Sequence, residues 1–243
     1  MKRFLRRHFG TLLSWVNAIR DINRRYVVAK RKSSYKECAE SAILEMPFDV
    51  YPYSSVHIGP YVKIRKGFIF LGGKGQLYIR KYTVIAMNCT IITDGHKPVL
   101  GIPHILAGAN HINDRVSDIV IEEAVWIGIN CTLLPGTKIG RGAIIGACSV
   151  VNKEIPPYAV AVGSPAKVIA SAFTLEEILV HEESLYPLEE RLTRGQLELI
   201  FNEYFIDKKS IGTFPKLNED EKNQIEQKIH EMQISTINKE KKL

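Results

Sequence analysis

The sequence lacks the usual marks of a secreted or membrane-spanning protein. Its 243 residues contain no run near the roughly 18 apolar residues of a transmembrane helix. The stretch from Thr11 to Ile19 is too short and too polar for the core of a signal peptide. The four cysteines lack the paired spacing that ligates zinc or cross-links a small secreted domain; they are Cys38, Cys89, Cys131 and Cys148. These absences predict a cytoplasmic protein.

Positive charge is concentrated at the amino terminus. The formal net charge is +7, and residues 1–36 carry eleven Lys or Arg against Asp21 alone. Between Lys2 and Trp15 these cations alternate with apolar residues, as in an amphipathic helix on an anionic membrane surface. Two interpretations stay open: peripheral contact with the inner face of the membrane, or packing on a neighbouring subunit. No recognition motif accompanies the charge, so nucleic acid is not a predicted partner.

An aliphatic residue recurs at every sixth position through the centre of the chain. These residues are Ile79, Ile85, Ile91, Ile121, Ile127, Leu133, Ile139, Ile145 and Val151. The residue four later in each hexad is never charged or aromatic. A period of six fits neither a helix at 3.6 nor an ordinary strand at 2, so it indicates a repeating coil. Three hexads make one triangular turn, which stacks residues 18 apart at about 4.8 Å and predicts a parallel β-helix.

The repeat divides the chain into three regions. We predict a basic helical segment over 1–45, the β-helix over 46–170, and a helical extension over 171–243. In the first half the six-residue step is rougher, and three glycines at 72, 73 and 75 predict a loop or bulge. In the extension, Thr174 with Glu177 and Thr193 with Gln196 have the spacing of capping boxes.

One segment interrupts the coil. Residues 97–120 show no repeat, and a loop this long in a compact protein is usually functional. The step from Ile91 to Ile121 equals a whole number of hexads, so the coil keeps its phase across the interruption. If the segment projects from a corner, Cys131 lies one coil above Cys89 and Ser149 one coil above Cys131.

The residues from Ile121 to Ile169 carry a family resemblance. They read IEEAVWIGINCTLLPGTKIGRGAIIGACSVVNKEIPPYAVAVGSPAKVI and closely resemble the hexapeptide-repeat acyltransferases. The similarity is greatest to the branch of maltose, galactoside, xenobiotic and polysaccharide O-acetyltransferases. It implies a left-handed β-helix and a homotrimer with active sites between subunits. It also implies acetyl-CoA as cosubstrate and no metal.

The resemblance also implies an active-site base. In this family it is a histidine just after a coil corner, and IAMNCTIITDGHKP places His96 there. An imidazole titrates near the operating pH, so it can deprotonate an acceptor hydroxyl that attacks acetyl-CoA directly. His104 and His111 in the same loop are alternatives, and Asp94 is either an orienting partner or a turn residue. Asn88 matches the acceptor-contacting position, or else it is only a corner residue.

The cofactor contacts follow from the same resemblance. Trp126, Gly128 and Ile129 match positions at the thioester end, although Trp126 could instead pack between subunits. Ala147 matches the site whose backbone contacts the pantetheine amide. The phosphate and adenine end is matched by Asn152, Lys153 and Lys167. Arginine is common at the last of these positions. Because lysine has a single ammonium group, Lys167 cannot make the bidentate phosphate contact that arginine makes.

The expected function is therefore O-acetylation of a sugar, within surface polysaccharide synthesis. N-acetylation of an amino sugar and acetylation of an antibiotic or other xenobiotic would use the same residues. Two interpretations from other classes remain. One is a metal-dependent hydratase of the carbonic-anhydrase type, which would need three converging histidines, and the other is a non-catalytic scaffold.

Overall fold

The protein folds as a three-walled parallel β-helix with helices at both ends. A computed structural model describes residues 14–213 and 217–231, except for the side chains of 229–231. The basic residues before Ser14 and the last twelve residues, for which helical structure is predicted, lie outside the described residues. Strands of successive coils stack into three parallel walls, which confirms the β-helix predicted from the repeat.

Each wall takes one strand from every coil. The first wall contains β1 (Glu37–Cys38), β4 (Val56–Ile58), β7 (Leu77–Ile79), β12 (Ile119–Ile121) and β15 (Lys138–Ile139). The second contains β2 (Ile43–Leu44), β5 (Lys63–Ile64), β8 (Val84–Ile85), β13 (Trp126–Ile127), β16 (Ile144–Ile145) and β18 (Ala159–Val162), with β19 (Lys167–Ser171) antiparallel at its edge. The third contains β3 (Phe48–Tyr51), β6 (Phe68–Leu71), β9 (Thr90–Ile92), β14 (Thr132–Leu133) and β17 (Val150–Val151).

The hexad residues form the core of the β-helix. All nine aliphatic positions are at most 2% exposed. Eight of the nine small positions are also buried, and Gly95, where the interrupting segment begins, is the exception. Ile121 pairs with Ile139, which is three hexads further along the chain, as the repeat predicts. Stacking of like side chains from coil to coil therefore excludes water along the whole axis.

The lower coils are longer than the upper ones. Ile58 pairs with Ile79, a longer step than three hexads, and the extra residues lie in the glycine-rich corner after Leu71. The loop predicted there is confirmed. The six-residue step through Val50, Val56, Val62 and Phe68 does not follow one column, because extra residues near Tyr51–Ser55 shift the phase. Only Val50 stacks beneath the column of Phe70 and Ile91.

The last coil is shorter. Ile155 bridges to Ile139 and Ala161 pairs with Ile145, and in both cases the step is shorter than three hexads. Pro156 and Pro157 lie between these two contacts. The expectation that Val162 and Val168 resume the repeat is wrong, because β18 turns back on β19 as an antiparallel pair.

The segment that interrupts the coil has structure of its own. After β9, strand β10 (Asp94–His96) pairs antiparallel with β11 (Asp114–Val116), and helix α1 (His104–Ala109) lies between them. We call residues 94–118 the excursion. The chain re-enters the first wall at Ile119, which pairs with Leu77. Thr132 pairs with Thr90, so Cys131 lies directly above Cys89, as predicted.

Helices flank the β-helix at both ends. Residues 14–22 are helical and Asn23–Val28 continue as a π-helix. The first coil begins at Glu37, inside the region 1–45. After the coil come α2 (Leu175–Leu185), α3 (Arg194–Ile200) and α4 (Glu219–Glu231), with short helical turns at Lys32–Ser34, Tyr53–Ser55, Leu188–Glu190 and Phe201–Phe205. Both predicted capping boxes are confirmed. Among the described residues, none of the helices has both the length and the apolar composition of a membrane span.

Candidate active site

A histidine and an aspartate meet at the base of the excursion. The Nδ1 atom of His96 lies 2.6 Å from Oδ1 of Asp114, and Nδ1 of His111 lies 2.9 Å from Oδ2 of the same carboxylate. The rings of the two histidines are 6.1 Å apart. Hydrogen bonds from His96 and then His111 lower the pKa of Asp114. Asp114 is therefore a charged partner for the His96 imidazole, whose ring remains half exposed.

The hairpin of the excursion creates this contact. His96 and Asp114 are directly opposite each other in the β10–β11 pairing. Asp94 has another role, because its carboxylate accepts hydrogen bonds from the backbone N–H groups of Lys74 and Gly75. It fixes the glycine-rich corner of the coil below. Asp114 was not predicted from the sequence, because helix α1 and its flanking turns separate it from His96 and no short-turn signal marks the hairpin.

A cleft rises from His96 along the edge where the third wall meets the first, which we call the third–first corner. Its volume is about 410 Å³, and its lining includes His96, Pro135 and Asn152. Pro135 lies one coil above the His96 level and Asn152 two coils above, a rise of about 9.6 Å at the spacing of β-strands. The structure therefore brings the predicted base and one predicted cofactor residue to the same cleft.

Four other predicted residues lie at the edge where the second wall meets the third, the second–third corner. They are Asn88, Gly128, Ile129 and Ala147. A Cβ atom on Gly128 would lie 2.6 Å from the backbone nitrogen of Ala147, so only glycine allows this approach. Asn88 has a φ of +59°, a left-handed conformation that asparagine tolerates better than most residues. It lines a separate groove of about 290 Å³.

The remaining predicted residues lie on other surfaces. The Trp126 side chain is 59% exposed on the second wall, beside a groove of about 270 Å³ lined also by Tyr158, Phe173 and His181. Lys153 follows Asn152 at the third–first corner, and Lys167 begins β19; both are exposed. Within one chain the residues at the two corners thus form two groups. They occupy opposite ends of the third wall, roughly 15–20 Å of extended chain apart.

No group of three or more His, Cys, Asp or Glu side chains among the described residues could hold a metal ion. His104 begins helix α1 and is not part of the contacts at Asp114. The three histidines of the excursion therefore do not converge on one point within a chain.

Comparison with known proteins shows which families and structures this coil resembles. Residues 118–153 match the family model described as bacterial transferase hexapeptide (six repeats). The matched residues form part of the coil, which has the hexapeptide repeat that this model describes. The chain is 47% identical over 125 residues to a chloramphenicol acetyltransferase of Escherichia coli, and the match covers 50% of this chain and 53% of that relative. The chain thus spans about half the length of the curated relatives it matches.

Two solved structures share the fold of this chain. A maltose O-acetyltransferase from Clostridium difficile 630 has a TM-score of 0.51 at 29% identity, covering 57% of this chain and 71% of that chain. A hexapeptide-repeat acetyltransferase from Vibrio cholerae, solved in complex with acetyl coenzyme A, has a TM-score of 0.54 at 22% identity. That match covers 62% of this chain and 85% of that chain.

Proposed function

We propose that the protein is an acetyltransferase that moves an acetyl group from acetyl-CoA to a hydroxyl of a sugar, within surface polysaccharide synthesis. The observation that carries this proposal is the cleft that joins His96 to Asn152 along one corner of the β-helix. A long, narrow cosubstrate would lie parallel to the axis there, with its thioester near His96. The relatives named as acetyltransferases support the same reaction class.

His96 is the general base in this proposal. With Nδ1–H donating to Asp114, Nε2 carries the free lone pair and can accept the proton of an acceptor hydroxyl. The hydroxyl oxygen attacks the thioester carbonyl carbon, the C–S bond breaks, and the imidazolium returns its proton to the departing CoA sulfur. The Asp114 carboxylate stabilises the imidazolium between these two transfers. No acyl-enzyme is needed.

We propose further that the active unit is a homotrimer with sites between subunits. One chain holds the base and Asn152 at one corner, and Gly128, Ile129 and Ala147 at another. These groups can line one cosubstrate only if the corners come from adjacent copies. Trp126 and Gly128 of one copy would then face the thioester held beside the His96 of its neighbour, while Asn152, Lys153 and Lys167 receive the phosphates and adenine. Asn88 is the proposed acceptor contact.

One observation favours a second acceptor class. The relative with 47% identity is named a chloramphenicol acetyltransferase. O-acetylation of a xenobiotic would use the same base and cleft. The excursion, which follows His96 directly, would decide between the two because it forms one side of the cleft.

Replacement of His96 by alanine tests the proposal. We expect turnover, followed by CoA release with a panel of sugar and antibiotic acceptors, to fall about 10²–10⁴-fold, the usual contribution of a general base. Acetyl-CoA affinity by calorimetry and a trimeric mass by light scattering should not change. Exposed His104 replaced by alanine serves as the control. Unchanged turnover in the His96→Ala variant would refute the base, and a monomeric wild type would refute the shared site.

The amino-terminal helix suggests where the enzyme works. Trp15, Ile19, Ile22 and Tyr26 are 66%, 63%, 58% and 48% exposed and are spaced to form one apolar stripe. Residues 14–36 carry seven Lys or Arg against Asp21. Because like charges on three copies would repel one another, we propose that the stripe rests on an anionic lipid surface.

Vesicle sedimentation tests this contact. The full chain should bind vesicles that contain phosphatidylglycerol and should not bind vesicles made only of phosphatidylcholine. The double change Trp15→Ser and Ile19→Ser should reduce binding at least tenfold. Leu199→Ser, which alters a residue 70% exposed elsewhere, is the control. Loss of the trimer in the double variant would instead make the stripe a subunit interface.

A further inference from the structure

Two cations line the cleft beside His96. Lys97 follows the base directly, and Arg115 lies across the hairpin from Gly95. Arg115 is anchored, because its Nη2 donates a 2.9 Å hydrogen bond to the carbonyl oxygen of Pro135 one coil above. Among the described residues, neither side chain is paired with a carboxylate. The mouth of the cleft therefore presents two uncompensated positive charges near the reacting atoms.

The acidic residues of the excursion do not neutralise these cations. Asp94 accepts from the backbone N–H groups at the glycine-rich corner. Both oxygens of Asp114 are used by histidines. Asp118 accepts a 2.8 Å hydrogen bond from the backbone N–H of Gln76. Each carboxylate thus has a hydrogen-bond donor elsewhere, and none lines the cleft.

We propose that the acceptor is anionic, and that Lys97 and Arg115 hold its carboxylate or phosphate while its hydroxyl faces His96. This inference rests on the proposed acetyl transfer. Arg provides a planar fork that matches an oxyanion and Lys a mobile point charge, so the pair can bind either group. We assign the two charges to the acceptor and not to CoA for one reason. The thioester would lie near His96, and the pantetheine arm keeps the phosphates of CoA at a distance from the thioester.

The position of Arg115 supports this assignment. Its guanidinium reaches only the first coil above His96, about 4.8 Å up the cleft, where Pro135 accepts its hydrogen bond. Asn152, the proposed contact for the phosphate end, lies a further coil above. A small anionic group bound between Lys97 and Arg115 would therefore be close to the base and would leave the upper cleft to the cosubstrate.

Matched acceptors that differ only in charge test the inference. The pairs are galacturonate with galactose and glucose 6-phosphate with glucose; the first reports on carboxylate and the second on phosphate. Wild-type kcat/KM should favour the charged member at least tenfold in one pair. Arg115→Gln and Lys97→Gln should each lower the charged-to-neutral ratio of kcat/KM by about tenfold, as expected for the loss of one charged hydrogen bond. Lys208→Gln, an exposed lysine in the carboxy-terminal extension, is the control.

A binding measurement separates the two proposals. The same pairs are titrated into CoA-saturated His96→Ala protein by calorimetry, so that recognition is measured without turnover. Preferential binding of the charged member that is lost when Arg115→Gln is added supports an anionic acceptor. If the wild type acetylates neither sugar, that result counts against the proposed reaction but not against this binding preference. Equal binding within both pairs overturns the inference. So does a rise in KM for acetyl-CoA with no change in charge preference, because the cations would then belong to the cosubstrate.

Discussion

The carboxylate of Glu182 joins the carboxy-terminal helices to the β-helix, and its removal gives a measurable loss of stability. Glu182 is 1% exposed on helix α2. It accepts hydrogen bonds from the hydroxyl of Tyr158 at 2.5 Å, the guanidinium of Arg141 at 2.9 Å and the backbone N–H of Leu192 at 2.9 Å. The perturbation is Glu182→Gln, which keeps the size of the side chain and removes the charge.

The contacts set the size of the effect. The amide NH₂ of glutamine can face Tyr158, whose hydroxyl also accepts, and the carbonyl oxygen can stay on Arg141 and Leu192. Charged hydrogen bonds are roughly twice as strong as neutral ones, so these two bonds each weaken by about 1 kcal/mol. Arg141 keeps its 3.0 Å ion pair with Glu123. We therefore expect the free energy of unfolding to fall by about 2–3 kcal/mol, less than the 3–5 kcal/mol typical of a buried pair that loses one partner.

Urea denaturation at one fixed protein concentration measures this loss. Circular dichroism reports on the helices, and fluorescence of Trp126, measured with Trp15 replaced by phenylalanine in every variant, reports on the groove beneath them. Glu183→Gln, an exposed neighbour on the same helix, is the control and should stay within about 0.5 kcal/mol of wild type. If the two variants unfold within about 0.5 kcal/mol of each other, the buried network does not hold the extension and the reasoning is refuted.

Three further predictions concern the site and its surroundings. Asp114→Asn should lower kcat about 10- to 100-fold and alter its pH profile, with KM for acetyl-CoA unchanged, because His96 loses its charged partner; an unchanged profile would make Asp114 merely structural. Gly128→Ala should destabilise the protein by about 1–3 kcal/mol, since the new Cβ meets backbone, whereas Gly195→Ala meets nothing within 4 Å and should not. Burial lowers the pKa of His181, so the unfolded chain binds its proton first and stability is lost as pH falls below about 6.5. Urea midpoints at neutral and acidic pH should therefore differ less in His181→Phe than in wild type, and an equal difference would contradict the assignment.

Much of the β-helix follows from local spacing. A six-residue period can satisfy burial only in a flat coil, so the inward residues from Ile79 to Val151 were predictable one by one. The stacking of Cys131 on Cys89 followed from phase alone. The prediction of inward residues failed where coil length changes without a clear signal, near Tyr51–Ser55 and between Val151 and Ile155. There, extra or missing residues alter the path without altering the composition of the inward positions.

Some residues of the candidate site could be predicted from local sequence, and others could not. Motif resemblance led to His96 and to the cofactor positions, because local sequence determines where a corner residue stands on the coil. Asp114 could not be found in this way, since its contact with His96 depends on a hairpin that closes over the whole of helix α1. The charges of Lys97 and Arg115 become informative only once Asp94, Asp114 and Asp118 are seen to be engaged by other donors.

The sequence by itself determined the coil, its phase and the place of the interruption, because a hexad depends only on residues close in the chain. The tertiary structure decided which polar groups of the excursion contact each other and which hydrogen-bond donors its carboxylates have. It also decided how the carboxy-terminal helices attach through Glu182. Those outcomes depend on contacts between residues distant in sequence, and no local pattern encodes the distance between two side chains on different segments.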